Sequence, residues 1–358
     1  MRSYNIIDSV KGGSGKTSLA LMLTIASTLM SQRSNPALST GSQQTTPVVL
    51  LDMDMQGSSL ASLLFGSNDP EQAGLAKQYL NDRILKYYRN GITATESISY
   101  PVFYLSGHPA TTVRIAASIA SPIIEDRNRF RAHSRTNFSS VITYQSFRAG
   151  LQDTLEKLGG AVPNQIDSVF FDMPPNSNGY SDAVLELLLG QNSALAERHP
   201  CNYFELTTLD QGHISASLNW FESFVNDEQY EFPDHFFFVF DNVPDSLGIM
   251  DTENELVKEK VSEMSTKITK ILSDSLPEHG KRIFFVGVKY QPNYLEMCCS
   301  REGIGARPTQ SAGFDDKKIR LAETILKPIT FIKGLEGKLV NCTDSTEKLL
   351  SMIKENGG

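Results

Sequence analysis

Cysteine is scarce in this chain: there are four in 358 residues, at positions 201, 298, 299 and 342. None falls in a CxxC pair, which speaks against a disulfide framework and points to a reducing, cytoplasmic setting. Cys298 and Cys299 are adjacent, a spacing that suits neither a zinc site nor the cysteine pair of an iron–sulfur carrier. Long apolar runs are missing as well. None approaches the roughly 18–20 residues of a membrane span, so no integral membrane contact is expected. Nor is there an excess of positive charge: 33 Lys and Arg stand against 41 Asp and Glu, a net charge of −8. A protein that coats nucleic acid by bulk charge is usually basic. Any DNA binding here therefore has to come from a local patch. No internal repeat is present, which excludes a solenoid. The first thirty residues read as a strand, a glycine loop and a helix rather than as a secretory leader.

What the chain does have is a regular alternation. Short, nearly continuous runs rich in Val, Ile and Phe recur at 4–10, 48–53, 102–106, 168–173, 203–207, 236–240 and 283–288. Runs of that kind are strands buried on both faces. Helical patterns lie between them, at 19–30, 72–88 and 248–276. In the last, Ile249, Leu256, Met264, Ile268, Ile271 and Leu272 are expected to share the buried face. Strands alternating with helices predict an α/β fold, a doubly wound, mostly parallel sheet with helices on both faces. Ligands of such folds bind at the carboxyl ends of the strands. Apolar residues make up 40% of the chain, enough for a substantial core. The chain reads as a single domain over 1–358, with an inserted or extended region near 68–162 and a less regular C-terminal part near 293–358. The polar stretch 31–47, rich in Ser, Thr, Gln and Pro, reads as a loop.

One run carries chemistry on its face: Lys11-Gly12-Gly13-Ser14-Gly15-Lys16-Thr17-Ser18, set between the first strand and the first helix. Glycines let backbone N–H groups approach phosphates closely, and the helix start adds its partial positive charge. Lys16 would reach the β- and γ-phosphates, and the Thr17 hydroxyl would ligate Mg²⁺. The ordinary spacing wants glycine at position 10, where this chain has Val10, and a second lysine, Lys11, opens the loop instead. In this deviant form, KGGxGK[ST], the sequence resembles the ParA/MinD family of dimerising P-loop ATPases. The resemblance implies ATP and Mg²⁺ as ligands, and a homodimer in which Lys11 contacts the partner's nucleotide.

Two further strand ends fit the same family, in family order. The run Leu50-Leu51-Asp52-Met53-Asp54-Met55-Gln56-Gly57 resembles its DxDxQG switch, with Met55 where the family usually has proline. By that match Asp54 holds the attacking water near Mg²⁺. Placing the water matters more than strong base catalysis in phosphoryl transfer, whose transition state is loose. The run Val169-Phe170-Phe171-Asp172-Met173-Pro174-Pro175 is an apolar strand ending in one aspartate, a Walker B strand in which Asp172 would bind Mg²⁺. After the strand at 236–240 come Asp241 and Asn242. In relatives an asparagine here reads the adenine edge, and an amide can both donate to it and accept from it. A plain turn residue is the competing reading of Asn242. Lys289, Tyr290, Gln291 and Pro292 are placed to flank the base in the same way.

The resemblance implies slow ATP hydrolysis that times a dimerisation switch, together with a partner protein that stimulates it. One concentrated basic stretch, Arg127, Arg129, Arg131, His133, Arg135 and Arg148 with interleaved aromatics, is a candidate for non-specific DNA binding. A solvated loop or an Arg face paired with local acids is the competing reading. Three functions follow: a ParA-like partition ATPase on DNA, a positioning ATPase for a protein cargo, and a metabolic P-loop enzyme of the same superfamily. Leu349, Leu350 and Ile353 near the C-terminus come with only two lysines, too few for a basic amphipathic membrane anchor.

Overall fold

The computed structural model describes residues 3–34, 48–53, 98–104, 112–117, 148–149, 151–152, 155, 168–174, 179–191, 193, 195, 199–243, 251–273, 277–289, 328–335, 337, 340–341 and 345–355. Within them a ten-stranded sheet runs in the order β10-β9-β8-β7-β6-β1-β5-β2-β4-β3. The strands are β1 (Ser3–Asp8), β2 (Val48–Asp52), β3 (Ile98–Tyr104), β4 (Thr112–Ala117), β5 (Ser168–Asp172), β6 (Cys201–Thr207), β7 (His235–Val243), β8 (Ile283–Lys289), β9 (Ile329–Gly334) and β10 (Val340–Asn341). From β8 across to β4 every pairing is parallel. The outermost pairings, β3 with β4, β8 with β9 and β9 with β10, are antiparallel.

The apolar runs behave as strands buried on both faces should. Along β7, Phe236, Phe238 and Phe240 join one core while Phe237 and Val239 join another. The first core is covered by α2 (Gly179–Leu188), α3 (Gln211–Val225) and α4 (Asp251–Ser273), the second by α1 (Lys16–Ser34) and α5 (Ser345–Met352). On the first face Tyr203 lies between Trp220 and Phe236, at ring-centroid distances of 4.8 and 5.2 Å. On the second, Phe204 stacks on Phe237 at 4.6 Å. That face also carries a buried polar ladder. Ser3 bonds Ser168 at 3.0 Å, Asn202 donates to Asn5 at 3.0 Å and to the Ile353 carbonyl at 2.9 Å, and His235 Nδ1 meets Asn202 Oδ1 at 2.9 Å. These bonds satisfy the polar side chains of four neighbouring strands and pin the chain just after α5 to the sheet.

Several expectations change in detail. The strand expected at 102–106 runs over Ile98–Tyr104 and lies antiparallel at the sheet's edge. Pro101 lies inside it, and an edge strand tolerates such a residue although it has no N–H to donate. Residues 31–34, expected to open a loop, are helical instead, because α1 continues to Ser34 and no breaker occurs before Pro36; 35–47 lie outside the described residues. In α4 the buried stripe is Val257, Val261, Met264, Ile268 and Leu272, spaced by three or four residues. Leu256, expected to be inward, is 46% exposed, and Ile271 only flanks the core. Ile249, the helix expected at 72–88 and most of 68–162 lie outside the described residues. Leu349, Leu350 and Ile353 are buried in the second core. Among the described residues no helix is long and apolar enough to cross a membrane.

Candidate functional site

The strand order places the phosphate loop. After β1 the chain builds β2 on one side, returns through β5 to pair with β1, then crosses to β6 on β1's other edge. The loop after β1 therefore opens at the point where strand order reverses, the usual ligand crevice of a doubly wound sheet. The neighbouring strands end level with it. Ile7 pairs with Asp172, Asp52 with Asp172 and Asp8 with Glu205. Two backbone bonds tie the three ends together, Met53 N–H to the Asp172 carbonyl at 2.9 Å and Met173 N–H to the Ile7 carbonyl at 3.0 Å.

The loop's conformation follows from its residues. Gly13 and Gly15 have φ of +77° and +85°, the left-handed region that side chains disfavour. Ser9 folds the entry, its hydroxyl donating to the Lys11 carbonyl at 3.0 Å and accepting from the Lys11 N–H at 3.3 Å. α1 then begins at Lys16, with Leu19 N–H bonded to the Gly15 carbonyl at 2.9 Å. Gly12 and Gly13 are exposed, and a Cβ on Gly13 would meet nothing within 4 Å. Ser14 is buried with its hydroxyl unpartnered, and Lys16 is only 7% exposed. Thr17 and Ser18 are half-buried in the first turn. An open glycine stretch, an orphaned buried hydroxyl and a sheltered ammonium at a helix start form a donor set that suits a phosphate chain.

The other expected residues are placed unevenly. Asp172 is buried at the end of β5, the register partner of Asp52 on the adjacent strand β2. Lys11 is half-buried, and its ammonium lies beside the first turn of α3, 3.3 Å from where a Gly212 Cβ would stand. Asp210 caps that helix, accepting from the N–H groups of Gly212 and His213 at 2.9 and 3.1 Å. A cation at a helix N-terminus opposes the macrodipole, and the Asp210 carboxylate offsets this. Asn242 belongs to β7, with its side chain outside the described set. Asp54, Tyr290, Gln291, Pro292, Arg127, Arg129, Arg131, His133 and Arg135 lie outside the described residues. Arg148 is described and pairs with Glu186 at 3.2 Å.

Sequence reasoning missed an acidic group beneath the loop. Asp8 and Glu205 sit side by side on β1 and β6, both buried. Asp8 accepts from the Ser9 N–H at 2.7 Å and from the Tyr203 hydroxyl at 2.8 Å. Glu205 Oε1 accepts from the Ser217 hydroxyl at 2.8 Å and from the Val10 N–H at 3.4 Å. Burial foremost, and the Asp8 charge second, push Glu205 up to about 8. Burial also raises Asp8, against the pull of Tyr203, Ser9 and Lys16. A charged residue inside a buried apolar run was the available signal, and both acids lay inside such runs. Asp241 is a second omission: its carboxylate packs against the α-carbon of Gly15. Farther out, Glu263 on α4 is held down to about 2 by hydrogen bonds from Lys267, Gln211 and Lys260, which ties α4 to the start of α3.

No protein-family model matches the chain, and neither does any curated protein. Among solved structures, it is similar to pNOB8 ParA with a TM-score of 0.51 and 12% identity, over 79% of this chain and 75% of that one. A plasmid partition protein from Borrelia burgdorferi has a TM-score of 0.43 and 15% identity, over 83% and 96% of the two chains. The cell division ATPase MinD of Pyrococcus furiosus has a TM-score of 0.41 and 14% identity, over 91% and 98%. At such identities a likeness carries the fold alone, and the strand order, the parallel centre and the loop after β1 are consistent with it: this chain shares the fold of pNOB8 ParA.

Proposed function

We propose that the chain is an ATP-dependent dimerisation switch of the ParA/MinD kind. The observation that carries this reading is the loop itself: a two-lysine glycine loop at the switch point of the sheet, with Asp172 ending the adjacent strand. Lys16 and the loop N–H groups bind the β- and γ-phosphates. Thr17, Asp54 and Asp172 would hold a Mg²⁺ through oxygen ligands, the donors that ion takes. When bound, Mg²⁺ neutralises charge developing on the phosphate oxygens. Asp54 orients the attacking water, and Lys11 leaves its place beside α3 to reach the nucleotide of a second copy. Asn242 reads the adenine edge.

Two single substitutions test these roles. Asp54→Ala is expected to lower turnover about 100-fold or more while the ATP-bound dimer accumulates. Turnover at the wild-type rate in a phosphate-release assay removes Asp54 from the mechanism. Lys11→Ala is expected to abolish the ATP-dependent dimer. Light scattering that still reports a dimer rules out the contact in trans.

The cargo we propose is DNA, bound without sequence preference through the Arg127–Arg148 stretch once two copies bring their patches together. The net charge of −8 favours a second reading, in which the same switch positions a protein assembly and touches no DNA. Binding to a non-specific duplex, with ATP, with ADP and without nucleotide, separates the two. ATP-dependent binding that weakens steeply with salt supports the first. Intact hydrolysis with no DNA binding in any state supports the second.

A further inference from the structure

Asp8 and Glu205 lie directly beneath the phosphate loop, and the proposed hydrolysis uses neither. They are register partners on adjacent parallel strands and point into the same core, the one closed by α3. Asp8 is fully partnered as a carboxylate, each oxygen accepting one donor. Glu205 is not. Oε1 takes both of its donors, while Oε2 is buried with no hydrogen-bond partner. A proton added to the pair therefore goes to Oε2, the oxygen where it displaces no donor. The groups facing the pair are the Tyr203 hydroxyl on β6, the Ser217 hydroxyl on α3 and the Lys16 ammonium at the start of α1. Trp220 stacks on the Tyr203 ring at 4.8 Å. Lys11, Asp210 and Asp241 border the loop farther out.

This arrangement sets two buried acids against one buried ammonium, that of Lys16. A bound phosphate chain competes for that ammonium and adds negative charge at close range. Both effects make the carboxylate form of the pair less favourable. Resting on the ATP reading above, we infer that nucleotide binding at this loop draws one proton onto the Asp8–Glu205 pair. Glu205 thereby acts as a positioning residue for the loop, since its Oε1 holds the Val10 N–H and its charge state sets the field on Lys16. The balance is simple. One proton passes from solvent to Glu205 Oε2, no bond to phosphorus changes, and the proton returns to solvent when the nucleotide leaves. Without nucleotide Glu205 titrates at about 8. Uptake is therefore largest just above that pH, and affinity falls as pH rises through it.

Calorimetric titration of the full chain with Mg-ADP tests this near pH 8.5, above the ordinary histidine range. It is run in two buffers of different ionisation enthalpy. The expected result is a difference in heat corresponding to about half a proton or more per nucleotide, with affinity falling up to about tenfold per pH unit above 8. Glu205→Gln keeps an acceptor for Ser217 and Val10 but cannot titrate. It is expected to give equal heats in both buffers and a flat affinity. Equal heats for the wild type, or uptake that persists in Glu205→Gln, overturn the inference while leaving nucleotide binding intact. Absence of any Mg-ADP or Mg-ATP binding removes the proposed function and this inference with it. Thermal unfolding gives a readout without nucleotide. A carboxyl raised from its ordinary 4.5 to about 8 favours the folded state fully below 4.5 and loses that contribution as pH rises through 8. The wild type should therefore lose melting temperature relative to Glu205→Gln across that window. Parallel melting curves for the two proteins would place the buried charge elsewhere.

Discussion

Lys16→Ala is expected to lower ATP affinity about 100-fold or more, to the limit of detection in most titrations. A charge-assisted hydrogen bond is worth about 1.5–3 kcal/mol, and under the proposed function Lys16 would make one to each of two phosphates. Together these exceed the roughly 2.7 kcal/mol that a 100-fold change represents. Lys16 is 7% exposed, so its ammonium is already partly stripped of water before any phosphate arrives. Little further desolvation then opposes the contact. The same residue lowers the pKa of both Asp8 and Glu205. Its loss leaves these acids without their cation, and they respond by taking up protons rather than by unfolding the site. The variant should therefore fold, with its secondary structure unchanged by circular dichroism, and fail to bind. ATP affinity unchanged in a folded Lys16→Ala protein would end the phosphate-loop assignment.

Gly15→Ala should be damaging for a different reason. Gly15 has φ of +85°, where an L side chain costs about 1–2 kcal/mol. Its Cβ would also press into the Asp241 carboxylate, with Cγ only 2.9 Å away. Asp241 ends a buried run of β7 and the loop is tied into α1 through Leu19, so neither side yields easily. Relief requires the loop to flatten, which turns N–H groups away from the phosphates. The expected result is a lower melting temperature and ATP affinity reduced about 10- to 100-fold. Gly13→Ala is the matched control. It carries the same φ penalty, but its Cβ would meet nothing within 4 Å. Equal losses in the two variants would assign the whole effect to backbone strain and none to Asp241.

Much of the frame was legible because parallel strands announce themselves. A strand covered on both faces is mostly apolar, so β1, β2, β5, β6, β7 and β8 stand out as short, nearly continuous runs. The edges were not legible in that way. β10 is two residues long, and β3 contains a proline that a central strand would reject. Edge strands are held by a single neighbour, and their sequences need satisfy only that neighbour. Leu256 shows the same limit on a helix. Its periodicity allowed an inward position, but packing against the sheet selected the stripe through Val257 and Val261 instead.

At the site the division is sharper. Residue spacing alone predicts a two-lysine glycine loop joining a buried strand to a helix, and another apolar strand ending in Asp172. Spacing along the chain encodes those features, because each depends on residues that are close in sequence. Folding is what brings Asp8 to Glu205 across 197 positions, rests Asp241 on Gly15 and lays Lys11 beside the cap of α3. Strand order and register create those meetings. They decide which carboxylates share a low-dielectric pocket with Lys16, and therefore where protons reside when the loop holds an anion.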